Sequence, residues 1–315
     1  MITFREVVNL NECLDLWNRE MGFIYPISDS IYKQNVIDYL EKLVYGAYEE
    51  NQLVGFIIAK KFSSPSLISY SNLGFISLLY VSKKFRKRGI GQELLNKAEG
   101  YLSDKEIINV GKDINNFFPG VPCDFDNLTE LWFGKRGYEL NRYTHDLINR
   151  NPKKINLKED QFLYKVCSLD EKESLLNFFS NNFPGRWFYE AFEYFQNGGT
   201  GNEYVVCLDE NKVIAFARIN DRSFKLNSYN TNWYLRFENL CGIGPLGVDK
   251  EYRGKNLGFN IVAYAINISL DRGKKEILID WTGLLEFYQQ FGFEVWKNYK
   301  YVSKNAKKLL QNNIH

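Results

Sequence analysis

Leu78-Leu79-Tyr80-Val81-Ser82-Lys83-Lys84-Phe85-Arg86-Lys87-Arg88-Gly89-Ile90-Gly91 is a short apolar strand pattern that runs into Arg-x-x-Gly-x-Gly. The phrase returns as Gly244-Pro245-Leu246-Gly247-Val248-Asp249-Lys250-Glu251-Tyr252-Arg253-Gly254-Lys255-Asn256-Leu257-Gly258. Each copy leads directly into a helical pattern, at residues 92–99 and again from Phe259. A strand, a Gly-rich turn and a helix start together make a phosphate cradle, because backbone N–H groups point outward and the helix dipole favours an anion. The second copy has Asn256 where the first has Gly89. Asn tolerates positive φ better than other residues with a side chain, so both turns are expected to close. Two cradles in one chain imply a duplicated domain that binds a nucleotide cofactor.

The surrounding pattern repeats in the same order. A strand at Ile2–Val7 and a helix near Asn9–Met21 precede a hairpin, Val44–Glu49 with Leu53–Ala59. The later copy has a strand at Phe162–Cys167, a helix from Asp170 to Phe179, and strands at Tyr204–Leu208 and Val213–Ile219. After each cradle comes another strand, Glu106–Val110 or Glu276–Asp280, and then a short helix that closes on Gly-aromatic, Gly137-Tyr138 or Gly292-Phe293. Extra residues at 113–122 lengthen the first copy after that strand. The polar run 149–160 reads as a linker. The predicted fold class is α/β, or α+β around a mixed sheet, built twice: residues 1–148, a linker at 149–160, and residues 161–315.

Bulk properties narrow the function. The 315 residues suffice for two cores, and a net charge of +2 with interspersed signs points away from nucleic-acid and membrane partners. Cys13, Cys123, Cys167, Cys207 and Cys241 are scattered and never CxxC, so neither a disulfide framework nor a metal site is indicated. Only His145 and His315 are available for imidazole chemistry. The opening residues lack an apolar signal region and no apolar run is long enough to span a bilayer, so a cytoplasmic location is expected.

The repeated turn with its downstream Gly-aromatic helix end resembles the GCN5-related N-acetyltransferase superfamily in its tandem form, over most of both halves. The resemblance implies acetyl-CoA as cofactor. Its diphosphate would lie on Arg253, Gly254, Lys255, Asn256, Leu257, Gly258 and Phe259, and in the first copy on Arg86, Lys87, Arg88, Gly89, Ile90 and Gly91. The pantetheine arm would run along backbone groups near Leu246, Gly247 and Val248, or near Val81. The 115–122 segment is similar to one in tandem acetyltransferases acting on glucosamine and glucosaminides, which implies an amino-sugar amine of cell-wall origin as acceptor. The architecture also looks like mycothiol synthase. Aminoglycoside acetylation and a non-catalytic acyl-CoA-binding module stay open as alternatives, as does a monomer or a homodimer.

Aligning Gly137 with Gly292 sets Phe133 opposite Tyr288, and only the phenol can donate a proton to a departing thiolate. Asp280 ends the strand Ile277–Asp280 and is the expected base, ahead of Glu238 and Asp249, whereas its first-half counterpart is Val110 or Gly111. The second half is therefore expected to do the chemistry, with the first as a scaffold. Arg186, Trp187, Trp233 and Trp281 are candidate acceptor-binding residues, on the expectation that aromatic rings stack on a sugar.

Overall fold

The computed structural model describes residues 1–124 and 127–306. The chain separates into two compact units, Met1–Thr144 joined by the segment from Lys297 onward, and His145–Trp296. In chain order, β1 (Ile2–Glu6), α1 (Asn11–Met21), α2 (Asp29–Tyr32), β2 (Lys42–Glu49), β3 (Gln52–Lys61), β4 (Leu73–Val81), α3 (Ile90–Tyr101), β5 (Ile107–Val110), β6 (Val121–Pro122), α4 (Asn127–Gly134) and β7 (Glu139–Asn149) come first. They are followed by β8 (Leu163–Val166), α5 (Lys172–Asn182), α6 (Arg186–Gln196), β9 (Tyr204–Asp209), β10 (Lys212–Asn220), β11 (Leu240–Val248), α7 (Leu257–Asp271), β12 (Glu276–Thr282), α8 (Leu285–Gln289) and β13 (Glu294–Asn305).

In the first unit β1, β2, β3 and β4 form an antiparallel meander, and β5 joins β4 in parallel across the crossover helix α3. Its next strand comes from the far end of the chain: β13 pairs antiparallel with β5, from Val302 opposite Val110 to Asn305 opposite Ile107. Leu94, Leu95 and Ala98 of α3 are fully buried on Ile57, Ile76 and Ile108. Each such leucine contributes about 2 kcal/mol by leaving water. The residues 113–122 fold into this unit, with Phe117 and Phe118 buried and Lys112 N–H donated to the Phe118 carbonyl. The segment is pinned by a fully buried ion pair. Lys60 Nζ lies 2.8 Å from Asp113 Oδ2, which also accepts from Ser77 Oγ at 2.8 Å.

The second unit repeats the plan with β8, β9, β10 and β11 antiparallel and β12 parallel to β11 across α7. Residues 145–149 of β7 complete it, pairing antiparallel with β12. One face of the sheet carries Ala215, Ala217, Ile219, Cys241, Ile243, Ile277 and Ile279 against α7. The other face carries Tyr204, Val206 and Phe216 against α5 and α6.

The divisions at 148 and 161 therefore differ from the compact units. Beyond each Gly-aromatic helix end lies one more strand, and these two cross over: β7 completes the second unit's sheet and β13 the first unit's. The run 149–160 differs from a free linker too. Asn267 of α7 brackets Ile155 through its N–H and carbonyl, and Asn260 brackets Lys158 in the same way, so the segment is strapped along that helix. Among the described residues, no helix is long and apolar enough to cross a membrane.

Removing one member of a buried ion pair strands the other charge. Lys60→Met is expected to cost about 3–5 kcal/mol in urea unfolding. A cost below about 1 kcal/mol would mean the pair does not hold the 113–122 segment in place.

Candidate active site

In the second unit the end of β11 leads through Asp249, whose carboxylate accepts the Glu251 N–H at 3.0 Å, into the turn before α7. Gly254 (φ 83°) and Asn256 (φ 62°) are both left-handed there, and α7 begins immediately after. A Cβ on Gly254 would meet nothing within 4 Å, so glycine is needed for its backbone conformation rather than for room. As at any helix start, the first N–H groups of α7, from Leu257 on, have no acceptor within the helix. A row of unpaired donors at a helix start fits a diphosphate. In the first unit Lys87 (φ 62°) and Gly89 (φ 80°) make the same bend before Ile90 and Gly91, with Arg88 exposed between them. Arg86 differs from its counterpart, because its Nε is committed to the carbonyl of Val81 at 2.9 Å. Arg253 is exposed.

The cleft begins where β11 and β12 part. They pair from Leu240–Glu276 to Ile243–Ile279 and no further. At the next step Gly244 takes φ 151°, a cis peptide joins it to Pro245, and its carbonyl accepts from Asn220 Nδ2 at 2.7 Å. A Cβ on Gly244 would lie 2.9 Å from Asp280 Oδ1, so the glycine also makes room for that carboxylate. Leu246, Gly247 and Val248 continue β11 against Ala217, Phe216 and Ala215 of β10, so only their other edge is open.

Asp280 is half-buried at this divergence. Asn230 donates to its Oδ2 at 2.9 Å and is itself held by Ser228 Oγ at 2.7 Å. Asn230 lies over Gly242, where a Cβ would come within 2.1 Å of its Nδ2. Burial foremost, then the charge of Asp146, push the Asp280 carboxyl up to about 7, against the lowering pull of Arg186. Tyr288 of α8 is buried among Ile279, Phe291 and Phe293. Burial and the Asp280 charge push its phenol well above the ordinary value, so it is a proton donor at neutral pH. Its backbone carbonyl accepts from Phe291 and Phe293, as that of Phe133 does from Arg136 and Tyr138 in the first unit. The two rings therefore occupy equivalent helix ends, one with a hydroxyl and one without.

The four acceptor-wall candidates divide. Arg186, ion-paired with Glu190 at 2.6 Å, lies 4.9 Å over the Trp281 ring, and both are near Asp280. Trp187 packs on Phe183 at 4.8 Å, and Trp233 is buried on Trp296 at 4.3 Å. Both rings thus pack on other aromatic side chains of the second unit. Sequence reading missed Asn220, Asn230 and Asp146. The first two carry no spacing signal, and Asp146 belongs to the other half of the chain until strand pairing is known. Arg186 and Trp187 open the helix α6.

The model of the acetyltransferase (GNAT) family matches residues 10–117 and 172–293. No curated protein sequence matches the chain. Among solved structures, a fungal multi-domain protein contains a region described as a GCN5-related glucosamine N-acetyltransferase, similar with a TM-score of 0.86 and 23% identity over 96% of this chain. The chain spans only 38% of that protein. A GCN5-related N-acetyltransferase from Sphaerobacter thermophilus aligns at TM-score 0.70 and 13% identity, covering 97% of this chain and 96% of its own. A tandem GNAT protein from the clavulanic acid biosynthesis pathway aligns at 0.68 and 12%, covering 97% and 99%. At these identities the likeness shows the fold, and the family match over both units shows the rest: this chain is a tandem member of the acetyltransferase (GNAT) family.

Proposed function

We propose that the second unit is an acetyl-CoA-dependent N-acetyltransferase for the primary amine of an amino sugar, with the first unit as a non-catalytic scaffold. One observation carries the reading: β11 leads into the Arg253–Phe259 turn, and at its divergence from β12 stands a carboxylate poised near neutrality, with the Tyr288 phenol close enough to feel its charge. The bound cofactor would supply an activated acetyl group. The residues of the chain do the rest. The Arg253–Phe259 turn holds the diphosphate, Asp280 takes a proton from the acceptor ammonium, and the Tyr288 hydroxyl gives one to the thiolate that leaves. Arg186 and Trp281 offer the acceptor a cation over a flat ring beside the base. The fold likeness to the fungal glucosamine N-acetyltransferase region supports the amino sugar as its class.

The first unit has Gly111 after its last parallel strand pair, where the second has Asp280, and Phe133 in place of the phenol. Its buried 113–122 segment is clamped by Lys60 beside Ser77, the counterpart of Gly244. Those features support a scaffold that keeps a cradle without chemistry.

The deciding assay is thiol release with glucosamine, chitobiose-type amines, aminoglycosides and peptides. Turnover is expected on the sugars, and a preference for peptides would reject the acceptor class. Tyr288→Phe should lower kcat about 100-fold with acetyl-CoA affinity near normal. Unchanged turnover would remove Tyr288 from the reaction.

Asp280→Asn should lower the rate at pH 7 and recover partly at high pH, where free amine grows. In the parent enzyme the rate should climb through pH about 7 as Asp280 deprotonates. The same variant has an expected stability effect. The folded value lies above the ordinary 3.8, so the fold favours the protonated carboxyl and loses stability as pH rises from 3.8 to about 7. Asp280→Asn should therefore melt above wild type at pH 8, and a lower melting temperature there would contradict the buried-charge account. Titration calorimetry on an Arg253→Ala chain should lose one equivalent of acetyl-CoA. Full retention would take the second turn out of cofactor binding.

A further inference from the structure

Pairing of β12 with residues 145–149 of β7 is regular from Ile277–Asn149 to Ile279–Leu147, and it resumes at Thr282–His145. Two residues, Asp280 and Trp281, therefore stand opposite one, Asp146. This is a β-bulge, the device that re-aims side chains next to active sites. Trp281 at the bulge has φ 50°, a left-handed conformation that a bulky residue keeps only when its surroundings impose it.

Asp146 supplies the constraint. Its side chain is 1% exposed, and Oδ1 accepts the Trp281 N–H at 3.0 Å and the Tyr229 hydroxyl at 2.6 Å. One buried carboxylate oxygen thus ties the bulged backbone to the segment that also carries Asn230. Counting along the paired strands, the equivalent pair in the first unit is Gly111 and Tyr301, so the double carboxylate belongs to the second unit alone.

We propose that Asp146 is a positioning residue of the acetyl-transfer site, holding the Asp280–Trp281 bulge so that the carboxylate faces Gly244 and the indole lies under Arg186. The inference rests on the reading of Asp280 as base. The charges facing Asp280 are Asp146 from β7 and Arg186 and Glu190 from α6, with the Asn230 amide bonded to it and the neutral Tyr288 phenol nearby. Asp146 raises the proton affinity of Asp280, second only to burial, and Arg186 opposes it.

The test uses the full chain with Asp146→Asn, whose amide oxygen can still accept from Trp281, and with Asp146→Ala, whose methyl cannot. The Asp280 titration is followed by carboxyl carbon-13 resonance, assigned with Asp280→Asn, alongside the pH–rate profile. In Asp146→Asn the Asp280 midpoint should fall by roughly one pH unit and the acid limb of kcat/KM with it. In Asp146→Ala kcat should drop at least about tenfold at every pH, with the KM for acetyl-CoA near normal, because the bulge loses its tie. An unmoved Asp280 resonance midpoint in Asp146→Asn, or an Asp146→Ala kcat within twofold of the parent, would overturn the proposal. A resonance midpoint that falls while the rate profile stays put would uphold the role of Asp146 and reject Asp280 as the base. Should Asp146→Ala fail to fold, Asp146→Ser, whose shorter side chain does not span both Trp281 N–H and the Tyr229 hydroxyl, takes its place with the same twofold limit on kcat.

Discussion

The constraint on which the second unit turns is the parting of two parallel strands after Ile243 and Ile279. Parallel neighbours normally stay paired, and each backbone group left open must find another partner. Here the opening is built with glycine, a cis peptide at Pro245, and bulges on both sides. Asn220 holds the Gly244 carbonyl, and Asp146 holds the Trp281 N–H. The Gly244 Cα hydrogen leaves just enough space for the Asp280 carboxylate, which sits in surroundings that resist its charge.

The same plan in the first unit ends differently, because three residue types change at matching places. Ser77 replaces Gly244, Gly111 replaces Asp280, and Lys60 stands where Asn220 would. Lys60 and Ser77 then capture Asp113, and the segment it begins buries Phe117 and Phe118. A buried ion pair whose lysine also donates to the Asn115 carbonyl serves packing and geometry, and it holds a chain segment in a place where the second unit keeps a cleft. Duplication supplied two similar frames, and small polar exchanges directed them to different ends.

Much of this was legible in the residues. The doubled cradle, the hairpins and the Gly-aromatic helix ends are local signals, and local signals survive without tertiary context. Tyr288 against Phe133 followed from spacing alone, and both occupy the same hydrogen-bonded helix end. What escaped was non-local. That β7 serves the second unit and β13 the first is fixed by strand pairing, which no periodicity encodes. Asp146 was invisible for that reason, since its neighbour Asp280 lies in the other half of the chain. Trp187 and Trp233 show another limit: a tryptophan on a helix face and one in a site look alike in sequence, and the packing partners Phe183 and Trp296 appear only in the fold.

We propose that Asp280 and Tyr288 stand at the two ends of a proton path serving a thioester along β11. A crystal structure of the chain with coenzyme A tests it most directly. The account predicts the diphosphate on the Arg253–Phe259 turn and the sulfur within hydrogen-bond reach of the Tyr288 hydroxyl. A diphosphate bound elsewhere in the second unit, or a sulfur remote from that hydroxyl, would contradict it.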